Sequence, residues 1–234
     1  MVAFVTSRQN RNWGKRVRDM VLEPTDGVRP AVQERSRQTR DRMLRAGLTL
    51  VEQRGFDDIA VADIAAAAGC SVGAFYERFK NKEGFFAAML EVVVAETRRD
   101  FEVLAAAAPP DAPDIRAALY PYMDFTVAFF RDRAGLLRAA LRRSMDTPEV
   151  WLPLRLLALD IRSRFVDLLG RRDDLATRAD LEHSIAVILQ IVFGALINTI
   201  ITSPKPLSID DPALVDELTT LLVVYLTRDP APGS

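Results

Sequence analysis

The chain is poor in the residues that catalysis and metal binding most often use. One cysteine, Cys70, stands in 234 residues. A single thiol excludes an intramolecular disulfide and any zinc cluster built on cysteines, and a reducing cytoplasm is the expected compartment. One histidine, His183, cannot supply the two Glu-x-x-His pairs of a di-metal helical bundle. No Walker A loop and no H-E-x-x-H occurs. The acid pairs Asp57-Asp58 and Asp173-Asp174 fall in turn-like stretches where solvated carboxylates are common. No enzymatic activity, no cofactor and no metal is expected. Alternation of β-branched residues is nearly absent, which argues against strands. The opening "MVAFV" is too short for the apolar region of a secretory leader, so none is expected.

Long apolar runs are also scarce, with one exception. "SIAVILQIVFGALINTIITSP", residues 184–204, carries no charge and is long enough to span a bilayer. Gln190 and Asn198 interrupt it. A helix apolar all round is equally a buried core helix. The buried or dimerising helix is the preferred reading, with no membrane partner; a helical membrane-associated or structural protein is the rival.

Hydrophobic residues make up 49% of the chain and charged ones 27%, enough for a sizeable helical core. The formal net charge of −1 hides an asymmetry. Residues 1–45 hold eleven Lys and Arg against five acids. A basic front end on an acidic body points to a polyanion partner for one end only.

Residues 1–32 show no sustained period and read as a mobile basic extension. A helical stripe of Met43, Leu44, Gly47, Leu48 and Val51 follows, within about residues 33–54, and Gly55 suits its stop. "VADIAAAAG" is a second short helix. "SVGAFYERFKNKEGFF", residues 71–86, opens with a good N-cap, Ser71, and places Phe75 and Phe79 four apart on one face. A long helix starts near Lys82. "APPDAPD", residues 108–114, breaks the chain, and helices are expected at about 114–131, 134–144, 148–170, 177–202 and 211–227.

Two short helices joined by a glycine turn behind a longer helix form a helix-turn-helix unit, whose second short helix lies in the DNA major groove. Phe75 and Phe79 would anchor that helix on Leu48, Val51 and Ile64. Gly73 permits close approach of backbone to DNA, Tyr76 offers a hydroxyl at phosphate height, and Lys82 stands at the start of the next helix, where a phosphate is favoured.

The ordered block "TRDRMLRAGLTLVEQRGF" (39–56) and "VADIAAAAGCSVGAFYERFKNKEGFF" (61–86) resembles the TetR family of transcriptional regulators. The resemblance covers a fifth of the chain. It implies an all-α fold: a three-helix helix-turn-helix DNA-binding domain (33–82), then a helical effector-binding and dimerisation domain (83–230). It implies a homodimer on a palindromic duplex, a repressor rather than an activator, and DNA-facing residues Arg40, Ser71, Val72, Gly73, Ala74, Tyr76, Glu77, Arg78, Lys80 and Lys82. Ala60 and Ala74 stand where the family usually carries threonine or serine. Glu77 either accepts from a cytosine amino group or points to solvent, and Arg78 is assigned to a phosphate.

The resemblance further implies a cavity among the C-terminal helices and a four-helix bundle made by the last two. Tyr120, Met123, Phe129, Met145, Trp151, Phe165 and Phe193 are candidates for a small, mostly apolar effector, as is Phe125, with Arg138 or Arg142 orienting a polar end. Leu214, Leu218, Leu221, Leu222 and Tyr225 form a helical stripe. With Ile188, Val192 and Leu196 they are the expected dimer contacts.

Overall fold

The computed structural model describes residues 30–107, 112–172, 175 and 179–228. The expected basic extension therefore lies almost wholly outside the described residues. The chain divides into two compact units, residues 1–39 and 40–234. The described part of the first is the opening of a helix, with local bonds from Gln38 to Glu34 and from Thr39 to the Arg35 carbonyl.

Among the described residues the fold is all-α. The helices are α1 (Pro30–Arg54), α2 (Val61–Ala67), α3 (Val72–Tyr76), α4 (Lys82–Ala107), α5 (Ile115–Asp132), α6 (Ala134–Ser144), α7 (Leu152–Leu169), α8 (Leu181–Thr202) and α9 (Leu214–Thr227). A 3₁₀ turn, Pro148–Trp151, leads into α7. Each expected helix is present, with ends shifted by a few residues.

Local chemistry explains the short helices. Helix α2 has Ala60 at its N-cap and no side-chain cap there. Asp63 compensates in part, accepting the Ala60 N–H at 2.9 Å, one half of a capping box. Its C-terminus closes as a Schellman turn: Cys70 N–H bonds Ala65 O at 2.9 Å and Gly69 N–H bonds Ala66 O at 3.1 Å. Gly69 takes φ +64°, where a side chain would be strained. Helix α3 begins at Ser71, whose Oγ accepts the Ala74 N–H at 3.1 Å.

Helix α4, about 39 Å long, runs from α3 into the body and buries Phe85, Phe86, Met89, Leu90, Val93 and Phe101. It packs on α5 and α7; α8 packs on α5, α6, α7 and α9; α9 lies mainly against α5. One hydrophobic cluster runs from Met43 to Leu226.

That packing corrects the expected dimer residues. Ile188, Val192, Leu196, Leu214, Leu218 and Leu222 are all buried within the single chain, because the apolar stripe of α9 is already covered by α5 and α8. Tyr225 is half-buried, and only Leu221 of the expected set stands exposed. The large apolar residues left exposed on these two helices are Ile191, Ile201, Leu221 and Val224. Helix α8 is long and apolar enough to cross a membrane, yet its buried face belongs to this core.

Candidate nucleic-acid interface and effector chamber

The anchor of α3 is a three-ring cluster. Phe75, fully buried, lies 5.2 Å from both Phe79 and Phe85, and Phe79 lies 4.9 Å from Phe85. Phe85 sits on Gly47 of α1, where an added Cβ would meet its Cζ at 2.4 Å. A helix of five residues is too short to persist alone, so this cluster fixes it. Ser71, Val72, Gly73, Tyr76 and Glu77 remain exposed on the other side, Tyr76 at 56%. Gly73 has room: an added Cβ would find only Ser71 Oγ, at 3.7 Å.

The cations differ from expectation. Arg78 is half-buried and donates to the Ala74 carbonyl at 2.8 Å, with Glu77 at 3.1 Å. Its guanidinium is held by its own helix end, which removes the reason to assign it to a phosphate. Lys82 donates to the Asp57 carbonyl at 3.1 Å, with its ammonium 4.7 Å from the Phe56 ring centroid; it holds the α1–α2 connection. Arg40 lies 5.9 Å from the Phe79 ring, and Lys80 is exposed. Arg42 had no sequence signal, and it donates to the Ala68 carbonyl at 3.1 Å, steadying the end of α2.

Residues Gly69-Cys70-Ser71-Val72-Gly73 also spell G-x-S-x-G, a match the sequence reasoning missed. A nucleophile elbow needs a strand before the serine and a histidine beside it. Here Ser71 follows helix α2 and caps α3, and the lone His183 sits on α8.

Asp57, Arg143 and Glu83 join the head to the body. Arg143 meets Asp57 at 2.6 Å and Glu83 at 3.0 Å while its guanidinium lies over Phe56 and Phe86, at 4.5 and 4.9 Å. The hydrogen bond from Arg143 holds the Asp57 carboxyl below its ordinary range. Glu52 accepts from the amides of Gly135 and Leu136 at the start of α6; burial pushes its carboxyl up, against the lowering effect of those bonds.

Helices α4 to α8 line a half-open chamber of about 180 Å³. Phe129, Trp151 and Phe193 line it as expected, together with Phe125 and Leu137. The other expected residues do not. Phe165 is buried nearby against Phe101 and Tyr122, outside the wall. Met123 is buried in the core, Tyr120 is exposed on α5, and Met145 stands 78% exposed just past α6. Arg138 donates to the Ile200 carbonyl and Arg142 pairs with Asp57, so neither serves the chamber. The cation in its wall is Arg155.

Residues 43–89 match the family described as bacterial regulatory proteins, tetR family. The chain is 46% identical over 46 residues to the uncharacterized HTH-type transcriptional regulator YwcC of Bacillus subtilis, covering 20% of this chain and 21% of that one. It is 32% identical over 94 residues to the uncharacterized HTH-type transcriptional regulator Mb2936c of Mycobacterium bovis, covering 40% and 48%. The chain thus spans half or less of the curated relatives it matches. A putative TetR-family transcriptional regulator from Mesorhizobium loti superposes with TM-score 0.67 at 16% identity, over 82% of this chain and 96% of that one. The fatty acid degradation regulator FadR from Bacillus halodurans gives TM-score 0.60 at 18% identity, over 85% and 97%. These structures share the fold. Residues 43–89 thus carry the sequence match to the tetR family of bacterial regulatory proteins, and the described chain shares the fold of these regulator structures.

Proposed function

We propose that this protein is a transcriptional regulator that binds a palindromic operator as a homodimer and releases it when a small apolar molecule enters the chamber. The observation that carries the reading is the division of α3: Phe75 and Phe79 lock it to the head while Val72, Gly73 and Tyr76 stay exposed on the other face. A helix so held presents a rigid face to a groove. Ser71, Ala74, Glu77, Lys80 and Arg40 surround it, and phosphate contacts come from the exposed Lys80 and Tyr76 rather than from Arg78.

The second copy covers the apolar residues left open on α8 and α9. Ile191, Ile201, Leu221 and Val224 lie on the two helices, and Gly194 has open space where a Cβ would stand. Two such faces related by a two-fold axis make a four-helix bundle. Repression is the simpler sign of regulation, since occupancy of a promoter suffices, and the cytoplasm is where such a protein meets its DNA. Selection of bound sequences from a random duplex pool tests the reading: an inverted repeat is expected, and recovery of no shared site overturns it.

A further inference from the structure

We propose that the effector is a small carboxylate, one aromatic ring or its equivalent in alkyl chain, seated with its acid group on Arg155. The inference rests on the chamber being the effector site, and three features of the wall narrow the ligand.

The first is charge. Among the described residues no aspartate or glutamate lines the chamber, and Arg155 is its one charged residue. Elsewhere on α7, Asp160 pairs with Arg98 and Arg164 with Glu102. Arg155 has no ion pair among the described residues and is exposed, so it stands where the chamber meets solvent. An amine would meet only repulsion there. A guanidinium forks onto a carboxylate through two parallel hydrogen bonds. A doubly charged phosphate would leave half its charge unmatched beside a hydrocarbon wall.

The second is hydrogen bonding. The side-chain hydroxyls in the wall belong to Thr97 and Thr126. Thr97 Oγ1 donates to the Val93 carbonyl and Thr126 Oγ1 to the Tyr122 carbonyl, each at 2.7 Å. A hydroxyl has a single hydrogen, so neither can donate to a ligand. A ligand carbonyl buried beside them would be left without a donor from either. The ligand's carbonyl-type acceptors therefore gather at Arg155, away from its inner end.

The third is size. An apolar cavity of about 150 Å³ holds benzene, so a chamber of about 180 Å³ accommodates one ring, with the acid group outside it. A long-chain acid exceeds that volume.

The test is a charge-matched set on the full-length protein: benzoate, benzamide and benzylamine, with hexanoate and hexanamide for the alkyl case. Binding is read by calorimetry and by Trp151 fluorescence in a Trp13→Phe background. The acids are expected to bind about 10- to 100-fold more tightly than the amides, the range of one charge-assisted pair, and the amine not to bind. Arg155→Gln should remove that preference and leave amide binding and the thermal melt unchanged; Arg155→Lys should restore part of it. If amides or the amine bind as well as the acids, or if Arg155→Gln leaves acid binding intact, the carboxylate assignment fails while the chamber stands. If no compound of any charge binds, chamber and assignment fail together, and operator selection, measured separately, is untouched.

Discussion

Glu52 of α1 accepts the Gly135 amide of α6 at 2.6 Å, with the Leu136 amide beside it at 3.1 Å. The two elements touch closely enough that a Cβ on Gly135 would lie 2.4 Å from the Val51 carbonyl. The next residue of α6, Leu137, is part of the chamber wall. One helix end is thus tied to the reading head while its first turn faces the chamber. Glu52→Ala leaves both amides without their partner and is expected to cost about 1–3 kcal/mol. Denaturant unfolding measures it.

Two carboxyls at this junction should make stability depend on pH with opposite signs. Burial raises Glu52 above its ordinary value of 4.5. The stability linked to its protonated form is fully present below that value and is lost as pH rises through the folded-state value. The hydrogen bond from Arg143, foremost, lowers Asp57 below 3.8; its contribution is present above 3.8 and is lost as pH falls through the lower, folded-state value. Melts of Glu52→Gln and Asp57→Asn against the parent, across the acid range, are expected to show stability differences that slope in opposite directions. Parallel slopes would contradict the assignment.

Gly47 and Gly73 separate folding from recognition. In Gly47→Ala the new methyl runs into Phe85, the ring on which Phe75 and Phe79 rest. Overpacking of this kind costs about 1–3 kcal/mol. Gly73→Ala meets nothing closer than 3.7 Å, so its melting temperature should hold while duplex affinity falls about tenfold or more, about 1.4 kcal/mol. Equal loss of affinity and stability in both variants would remove Gly73 from the DNA-facing surface.

Much of this was legible in the sequence, and the limits have a physical cause. The spacing of Phe75 and Phe79 shows which face of α3 is buried, and Gly69 after an alanine run shows where α2 ends, because both are local. Glu52 and Gly135 lie 83 residues apart, and no periodicity announces that bond. The Leu214–Leu218–Leu222 stripe shows that one face of α9 is covered, but the spacing is the same whether a second copy or α5 covers it. Aromatics at helical spacing face that ambiguity too: Phe129 and Phe193 turn to the chamber, whereas Tyr120 faces solvent.

Tyr76 and Lys82 should behave differently although both sit beside the reading face. Tyr76 is exposed and packs edge-on to Phe75, with ring centroids 5.4 Å apart. Tyr76→Phe keeps that contact and removes the hydroxyl, so duplex affinity should fall on every sequence with no change in the melt. Lys82→Ala loses the bond to the Asp57 carbonyl and the contact with Phe56, and should cost about 1 kcal/mol of stability. Salt titration of duplex binding completes the comparison: a slope smaller by about one unit in Lys82→Ala would mean that the ammonium also reaches a phosphate.

The proposed dimer face gives the sharpest contrast between two positions only two residues apart. Leu221 is exposed on α9, Val224 follows it at 61% exposure, and Leu222 between them is buried. A glutamate at 222 places an unpaired charge in the chain's own core and should unfold it, at several kcal/mol. A glutamate at 224 is solvated in the single chain and buried only when a second copy covers α8 and α9. Val224→Glu, alone or with Ile191→Glu, should therefore yield a folded monomer with an unchanged helical spectrum and weakened affinity for the inverted repeat, since one head reaches one half-site. Sedimentation equilibrium decides the point: a Val224→Glu, Ile191→Glu double variant that still sediments at twice the chain mass places the interface elsewhere.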